Sequence, residues 1–405
     1  MSERNSERHR DRDGAAEAGA AQPRAVARLA RRDVLGGLTA LAAFSVAAHV
    51  EAQQATVQPS PSQKAPALAP ARRIAPLMAA PPQPIEVFAR SLTGFGRSGV
   101  PGGKLPRLEF IGGLVLTSPA KEFGGWSGLV TSDDGRRLFA VSDQGSWMSA
   151  ELVSEGGRPK GLADVMLGEI PGTGGQVLSR GRDRDAESVV LLDGTLARGT
   201  VLIAFERNHR IGRYPITERG LGPPAGFLKM PPDARKMGFN KGLESVAVLR
   251  GGPLKGAVVA FAEELYDTAR NHTGWIWPGG IASEPQKLNL TNAGDFAITD
   301  AASLPDGSLI VLERRFRWLE GVKMRIRFVR AADVKPGALL DGELLLDTDM
   351  SSEIDNMEAL GLSRNARGQT VLTLMSDNNF NSMLQRNLLL QFVLTDPVAQ
   401  KAARP

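Results

Sequence analysis

Three glutamates stand in closely similar settings: Asp185-Ala186-Glu187-Ser188-Val189, Gly242-Leu243-Glu244-Ser245-Val246 and Asn356-Met357-Glu358-Ala359-Leu360. From Glu187 to Glu244 is 57 residues, and from Glu244 to Glu358 is 114, twice that interval. Trp126-Ser127-Gly128-Leu129 is a related segment 60 residues ahead of Glu187, counted from Ser127. A missing copy is expected near residue 301, where Ile298-Thr299-Asp300-Ala301-Ala302-Ser303-Leu304 keeps the unit with the Glu replaced. Each copy then passes through a turn into an apolar run that ends on an acid: Asp143, Glu206, Glu263 with Glu264, Glu313 and Asp377. Repeats that point one way bring equivalent positions together, so Asp143, Glu187, Glu206, Glu244, Glu263, Glu313, Glu358 and Asp377 are expected to gather. Carboxylates at that density raise one another's pKa unless a hard cation or bound Arg and Lys relieves them. Calcium, which takes oxygen ligands only, is the natural candidate.

The same repeat has a structural reading: each Glu accepts hydrogen bonds from backbone amides of its own or the next unit and staples the repeats together. The basic residues after the acids are open in the same way. Arg207 follows Glu206, and Arg314 and Arg315 follow Glu313. Beside a bound cation they would hold phosphate oxygens bidentately; otherwise they are ion pairs between units. His209, three residues after Glu206, reads as an acid–base group or as a hydrogen-bonded structural histidine.

Composition narrows the chemistry. The chain has no Cys and four His, two of them, His9 and His49, in its first fifty residues. Disulfides, thiolate nucleophiles, zinc-thiolate sites, iron–sulfur clusters and multi-histidine metal sites are therefore excluded, and any metal must be held by oxygen. Three short motifs fail on context. Gly94-Phe95-Gly96-Arg97-Ser98-Gly99 matches a dinucleotide fingerprint, but Val100-Pro101-Gly102-Gly103 follows where a helix must start. Gly125-Trp126-Ser127-Gly128-Leu129 lacks the last Gly of a nucleophile elbow. Asp347 to Glu358 imitates a calcium loop, but Ser352 stands where Gly is required.

The elements that must carry these residues are strands. Asp134-Gly135, Asp193-Gly194 and Asp306-Gly307 are hairpin turn signals, and the apolar runs between turns are of buried-strand length. The chain is predicted to be all-β, a β-propeller of units of about 57 residues, longer than the usual ~40–50-residue blade. Residues 85 to 395 give room for about 5.5 such units, which predicts six blades, the sixth assembled from strands around Leu108 to Leu116 and Leu388 to Leu394. The 45 Gly fit a fold with several tight turns per blade.

Ahead of the domain, Arg31-Arg32-Asp33-Val34-Leu35 opens a mildly apolar stretch to Val50 with a small-residue exit at Val50-Glu51-Ala52. This is the pattern of a cleavable twin-arginine signal over residues 1–52, too short to span a bilayer stably, and it predicts handling by the twin-arginine export machinery and a periplasmic or secreted product. Residues 53–84 carry eight Pro among Ala, Gln and Ser and read as an extended spacer. The propeller is then expected over residues 85–400. Without residues 1–52 the net charge falls from +5 to +4, with the bases scattered, which is no argument for nucleic acid.

Taken together, Trp126-Ser127-Gly128-Leu129 with Ala140-Val141-Ser142-Asp143-Gln144-Gly145, the Glu187 and Glu244 pentads, and Asp355-Asn356-Met357-Glu358-Ala359-Leu360 with Ser376-Asp377-Asn378-Asn379-Phe380 resemble the phytase-like family, described by an esterase-like activity of phytase. The resemblance covers residues 105 to 395. Ser188, Ser245 and Ala359 depart from it where Gly commonly follows Glu. It implies a propeller that hydrolyses phosphate esters such as phytate. On that reading Glu187, Glu244, Glu358 and Asp377 hold calcium, Arg207 or Arg314 grips phosphate, and the protein acts as a monomer on a small-molecule phosphoester. The competing expectation is a non-catalytic propeller that binds a ligand or an envelope partner.

Overall fold

The computed structural model describes residues 77–97, 105–178, 181–239 and 241–395. The twin-arginine segment and the spacer up to residue 76 lie outside the described residues. What is described is a five-bladed β-propeller. Its inner strands are Trp126–Thr131, Ala186–Thr195, Leu243–Val248, Ala297–Ser303 and Met357–Arg364, one per blade, each packed on the next in cyclic order with the fifth against the first. Within a blade the strands follow outward as antiparallel neighbours, and the short segment Leu339–Leu340 from the fourth blade adds to the edge of the third in parallel with Gln286–Leu290. Among the described residues no helix is long and apolar enough to cross a membrane.

The continuous apolar runs follow from burial on both faces. In the second strand of the third blade, Val258, Ala260 and Ala262 pack toward the second blade. Val259 and Phe261, pointing the other way, pack toward the fourth. Five hydrophobic clusters fill the five interfaces between blades in this manner. A strand alternates its side chains between faces, so a sheet sandwiched between two others has no polar side to show in the sequence. Small residues occupy the crowded axis. A Cβ added at Gly128 of the first inner strand would lie 2.7 Å from the backbone nitrogen of Val189 in the second.

Six blades was one too many. The strands expected to build a sixth, Leu108–Thr117 and Asn387–Leu394, pair with each other and belong to the fifth blade, whose order is Phe88–Leu92, Leu108–Thr117, Asn387–Leu394, Thr370–Ser376, Met357–Arg364. The C-terminal unit supplies only three strands, and the N-terminal strands complete its sheet and close the ring. The surplus length lies in long outer strands, such as Arg158–Glu169, and in connections such as that from Phe227 to Leu243. Gln83–Pro84 pairs with Met166 and Leu167 on the outer edge of the first blade, so the chain joins the sheet slightly ahead of residue 85.

Candidate functional site: a ring of carboxylates at one end of the channel

Every inner strand carries a bulge at the same place. The pairing with the second strand slips by one residue at Ser127, Glu187, Glu244, Thr299 and Glu358. A bulge re-aims the extra residue's side chain, and here it sets the three repeated glutamates at one end of the channel. Two residues before each bulge the ladder closes on the end of the second strand. The amides of Asp143, Glu206, Glu263 and Asp377 donate to the carbonyls of Gly125, Asp185, Gly242 and Asn356 at 2.8–3.1 Å. Each of these four acids has the side-chain parity that faces the following blade.

In the fourth blade that register position belongs to Arg314, opposite Ala297. Glu313, one residue earlier, faces the other side of the sheet. It accepts two bonds from Arg327, one of them from Nε at 2.8 Å, and Arg327 also donates to the carbonyl of Thr291 at 2.9 Å. Glu313 is therefore no member of the ring. The fourth blade reverses the pattern twice, with Thr299 for Glu at the bulge and Arg314 for an acid at the strand end. Arg314 reaches Glu358 at 3.2 Å and Glu263 at 3.8 Å, bridging blades five and three.

The structure brings together Asp143, Glu187, Glu206, Glu244, Glu263, Glu358 and Asp377, and adds Asp185. Carboxylate oxygens of Asp185, Glu187 and Glu206 lie within 4.8 Å of one another, as do those of Glu187, Glu244 and Glu358 and those of Glu206, Glu244 and Glu263. The triads share members, so the group is one connected cluster. Among the described residues, three cations form ion pairs with these eight carboxylates. Arg207 Nε is 2.6 Å from Asp185, Lys241 Nζ is 3.6 Å from Glu263, and Arg314 bridges as described. Except for Asp143 these acids are 4–8% exposed.

Such crowding has a titration signature. Burial first, and then the charge of Asp185, hold Glu187 well above the ordinary range. Burial and then Glu187 do the same to Glu244. Burial raises Asp377 to about 8, with Glu358 next in effect. It raises Glu206 to about 7 although the Gly242 amide donates to it at 2.7 Å, and Asp185 to about 6 although Arg207 opposes the rise. Asp143 and Glu263 are raised by burial as well. Two glycines make room. Gly125 has φ +66° and a Cβ there would fall 2.2 Å from Asp143 Oδ1; one at Gly242 would fall 2.4 Å from the His209 ring. His209 packs beside Glu206 with its pKa lowered by burial.

Stapling across the channel belongs to a residue outside the ring. Asp300 follows the fourth bulge, where the second and third blades have Ser188 and Ser245. Its carboxylate accepts from Ser188 Oγ at 3.0 Å, from the Ala301 amide at 2.9 Å and from the Leu360 amide at 2.8 Å, while Ser188 Oγ accepts from the Val246 amide at 3.1 Å. Burial raises the Asp300 pKa strongly. Among the described residues no backbone amide donates in this way to Glu187, Glu244 or Glu358; Arg314 is the partner of Glu358. The three repeated glutamates thus face one another with little internal relief, and what such a set can do is hold hard cations.

Sequence reasoning overlooked Asp185, Lys241 and Asp300. Asp185 could have been found from the register, since it occupies the place of Gly125, Gly242 and Asn356, two before the bulge. Beside the ring a groove of about 630 Å³ opens among Lys121, Gln144, Arg184, Ile170, Leu178 and Phe380, on connections at the same end of the propeller. The imitation calcium loop does not assemble: Asp347 pairs with Arg325 at 2.7 Å.

Among solved structures the chain is similar to U3-55K, at 10% identity over 72% of this chain and 100% of that one, TM-score 0.36. It is similar also to the WD40 repeats of RRP9, at 10% identity over 76% and 100%, TM-score 0.37. Scores this low carry no argument. No curated protein matches the chain. Residues 121–380, which contain all five bulges and every acid of the ring, match the family described as Phytase-like, esterase-like activity of phytase, and the chain belongs to that family.

Proposed function

We propose that the protein is an exported hydrolase of phosphate esters that works with calcium bound by the carboxylate ring. The observation that carries the reading is the buried excess of acid: among the described residues eight carboxylates share three ion-paired bases, and Glu187, Glu244 and Glu358 lack amide donors. Burying an uncompensated carboxylate is costly, so a ring of them needs cations or protons. The donor set is all oxygen, which suits calcium. Glu187, Glu244, Glu358, Glu206, Glu263, Asp185, Asp143 and Asp377 would hold it. Bound there, it would supply charge neutralisation for the phosphoryl group and promote ionisation of water.

The chain's own residues do the rest. Arg314, with its side chain 22% exposed, keeps a fixed positive charge at the ring's edge, and Arg207 does so on the opposite side. Both stand where a phosphoryl group approaching the ring would pass. The groove beside the ring offers Arg184, Lys121 and Gln144 to the polar part of the alcohol group and Phe380 to its apolar part. Ionisation of Asp377 and Glu206 above about pH 7–8 exchanges their protons for cations. Export rests on the arginine pair and apolar stretch of residues 31–50. The test is hydrolysis of phytate and nitrophenyl phosphate by purified protein with excess calcium. Release of phosphate that stops on chelation supports the reading, and no release removes it.

A further inference from the structure

The turn that follows Asp377 is strained. Asn379 and Phe380 have φ of +46° and +51°, and among the described residues they are the only consecutive non-glycine pair in the left-handed region. Asn tolerates that region, whereas a bulky side chain there costs free energy. The side chains just before the turn hold it. Asp377 Oδ1 accepts from the Asn379 amide at 2.6 Å, and Asn378 Oδ1 accepts from the Phe380 amide at 3.3 Å and from the Gly125 amide of the first blade at 3.2 Å. A strained backbone fixed by its surroundings points to a use for the side chain it presents.

That side chain is aromatic and is not buried: Phe380 is 39% exposed. Its phenyl group lies against two glycines. A Cβ at Gly124 would fall 3.3 Å from Phe380 Cε1, and one at Gly125 would fall 2.6 Å from Cε2, so a larger residue at Gly125 would displace it. Gly125 also adjoins Asp143 Oδ1, which places the phenyl group beside a carboxylate of the ring. Its exposed part lines the groove of about 630 Å³.

The lining of the groove selects its occupant. Val177, Leu178 and Ile170 add apolar surface, and the charges balance, Lys121 and Arg184 being matched by Glu122 and Glu169. A polyanionic alcohol meets no surplus of positive charge there, whereas an apolar one is removed from water. Two planar groups, the Phe380 phenyl and the Arg184 guanidinium, line the groove, and both pack well on a flat aromatic face.

We propose that Phe380 is a specificity-determining residue and that the substrate is a phosphate ester of an aryl alcohol, whose aromatic face packs on the Phe380 phenyl group while the phosphoryl group meets the carboxylate ring. This rests on the reading of the ring as a phosphoester site and adds the class of alcohol. Nitrophenyl phosphate is such an ester; phytate, charged on every side, is not.

Calorimetric titration of the full chain in excess calcium compares phenylphosphonate, cyclohexylphosphonate and methylphosphonate, which share one headgroup and resist hydrolysis. Phenylphosphonate is expected to bind about tenfold or more tightly than methylphosphonate, and more tightly than cyclohexylphosphonate. Phe380→Tyr keeps that preference. Phe380→Asn, suited to the left-handed turn, reduces it to about threefold or less with an unfolding temperature no lower than that of the wild type, because relief of strain offsets the lost packing. A preference unchanged in Phe380→Asn, or cyclohexylphosphonate bound as tightly as phenylphosphonate, overturns the proposal. Loss of the preference in both variants together with lower unfolding temperatures overturns it in favour of a structural role. Equal binding of phenylphosphonate and methylphosphonate by the wild type overturns it and leaves the reading of the ring standing, whereas binding of neither removes both.

Discussion

Arg314 Nη2 lies 3.2 Å from a carboxylate oxygen of Glu358, and it stands at the register position that four other blades fill with an acid. One blade in five therefore contributes a fixed cation to a ring otherwise built from carboxylates. Removing it leaves Glu358 and Glu263 without their shared partner. Arg314→Gln is predicted to lower stability by about 2–4 kcal/mol at pH 8 without added cation, measured by denaturant unfolding, and Arg314→Lys to recover part of the loss.

Glu313 separates the ring from its surroundings. Its partner is Arg327, on the far side of the same sheet. Glu313→Gln is predicted to destabilise the protein by about 1–3 kcal/mol while leaving any calcium-dependent rise in unfolding temperature as in the wild type. Thermal scans with and without calcium read both effects.

The titration of the ring sets a pH dependence. Glu206, at about 7, and Asp377, at about 8, stand above the values near 4 that such groups have in an unfolded chain. A carboxyl raised by folding contributes stability that is complete below its unfolded pKa and is lost as pH climbs through its folded pKa. Without cations the unfolding temperature is therefore predicted to fall, by roughly 5 °C or more, between pH 5 and pH 8.5. Calcium should flatten the fall, and its affinity should rise across the same window as protons leave. A flat profile without cations would contradict the account.

Asp300 is predicted to behave differently from the ring. Asp300→Ala leaves Ser188 Oγ and the Leu360 amide without their acceptor and should cost about 2 kcal/mol or more, with the calcium response retained. Unfolding curves at several calcium concentrations check it.

Much of this was written in the residues. Glu187, Glu244 and Glu358 announced the repeat by spacing, Thr299 and Asp300 marked its degenerate copy, and the apolar runs announced strands buried on both faces. Glu313 was misplaced for a physical reason. A bulge changes side-chain parity by one residue, and residue type alone does not show whether Glu313 or Arg314 stands opposite Ala297. The sixth blade was overcounted because chain length does not distinguish a blade from a long outer hairpin, and because sheet closure by Leu108–Thr117 joins segments about 280 residues apart. Asp185 went unassigned because its role depends on pairing with Glu206, a contact between strands.

The central claim is that Glu187, Glu244 and Glu358 form a cation site and not a staple between blades, and Glu244→Gln decides it. Unfolding temperature at pH 8 is measured for wild type and variant against increasing calcium. The account predicts a wild-type temperature that rises with calcium, and a variant at least as stable without calcium that has lost most of the rise. A wild type indifferent to calcium, together with a variant that is simply less stable, would contradict it.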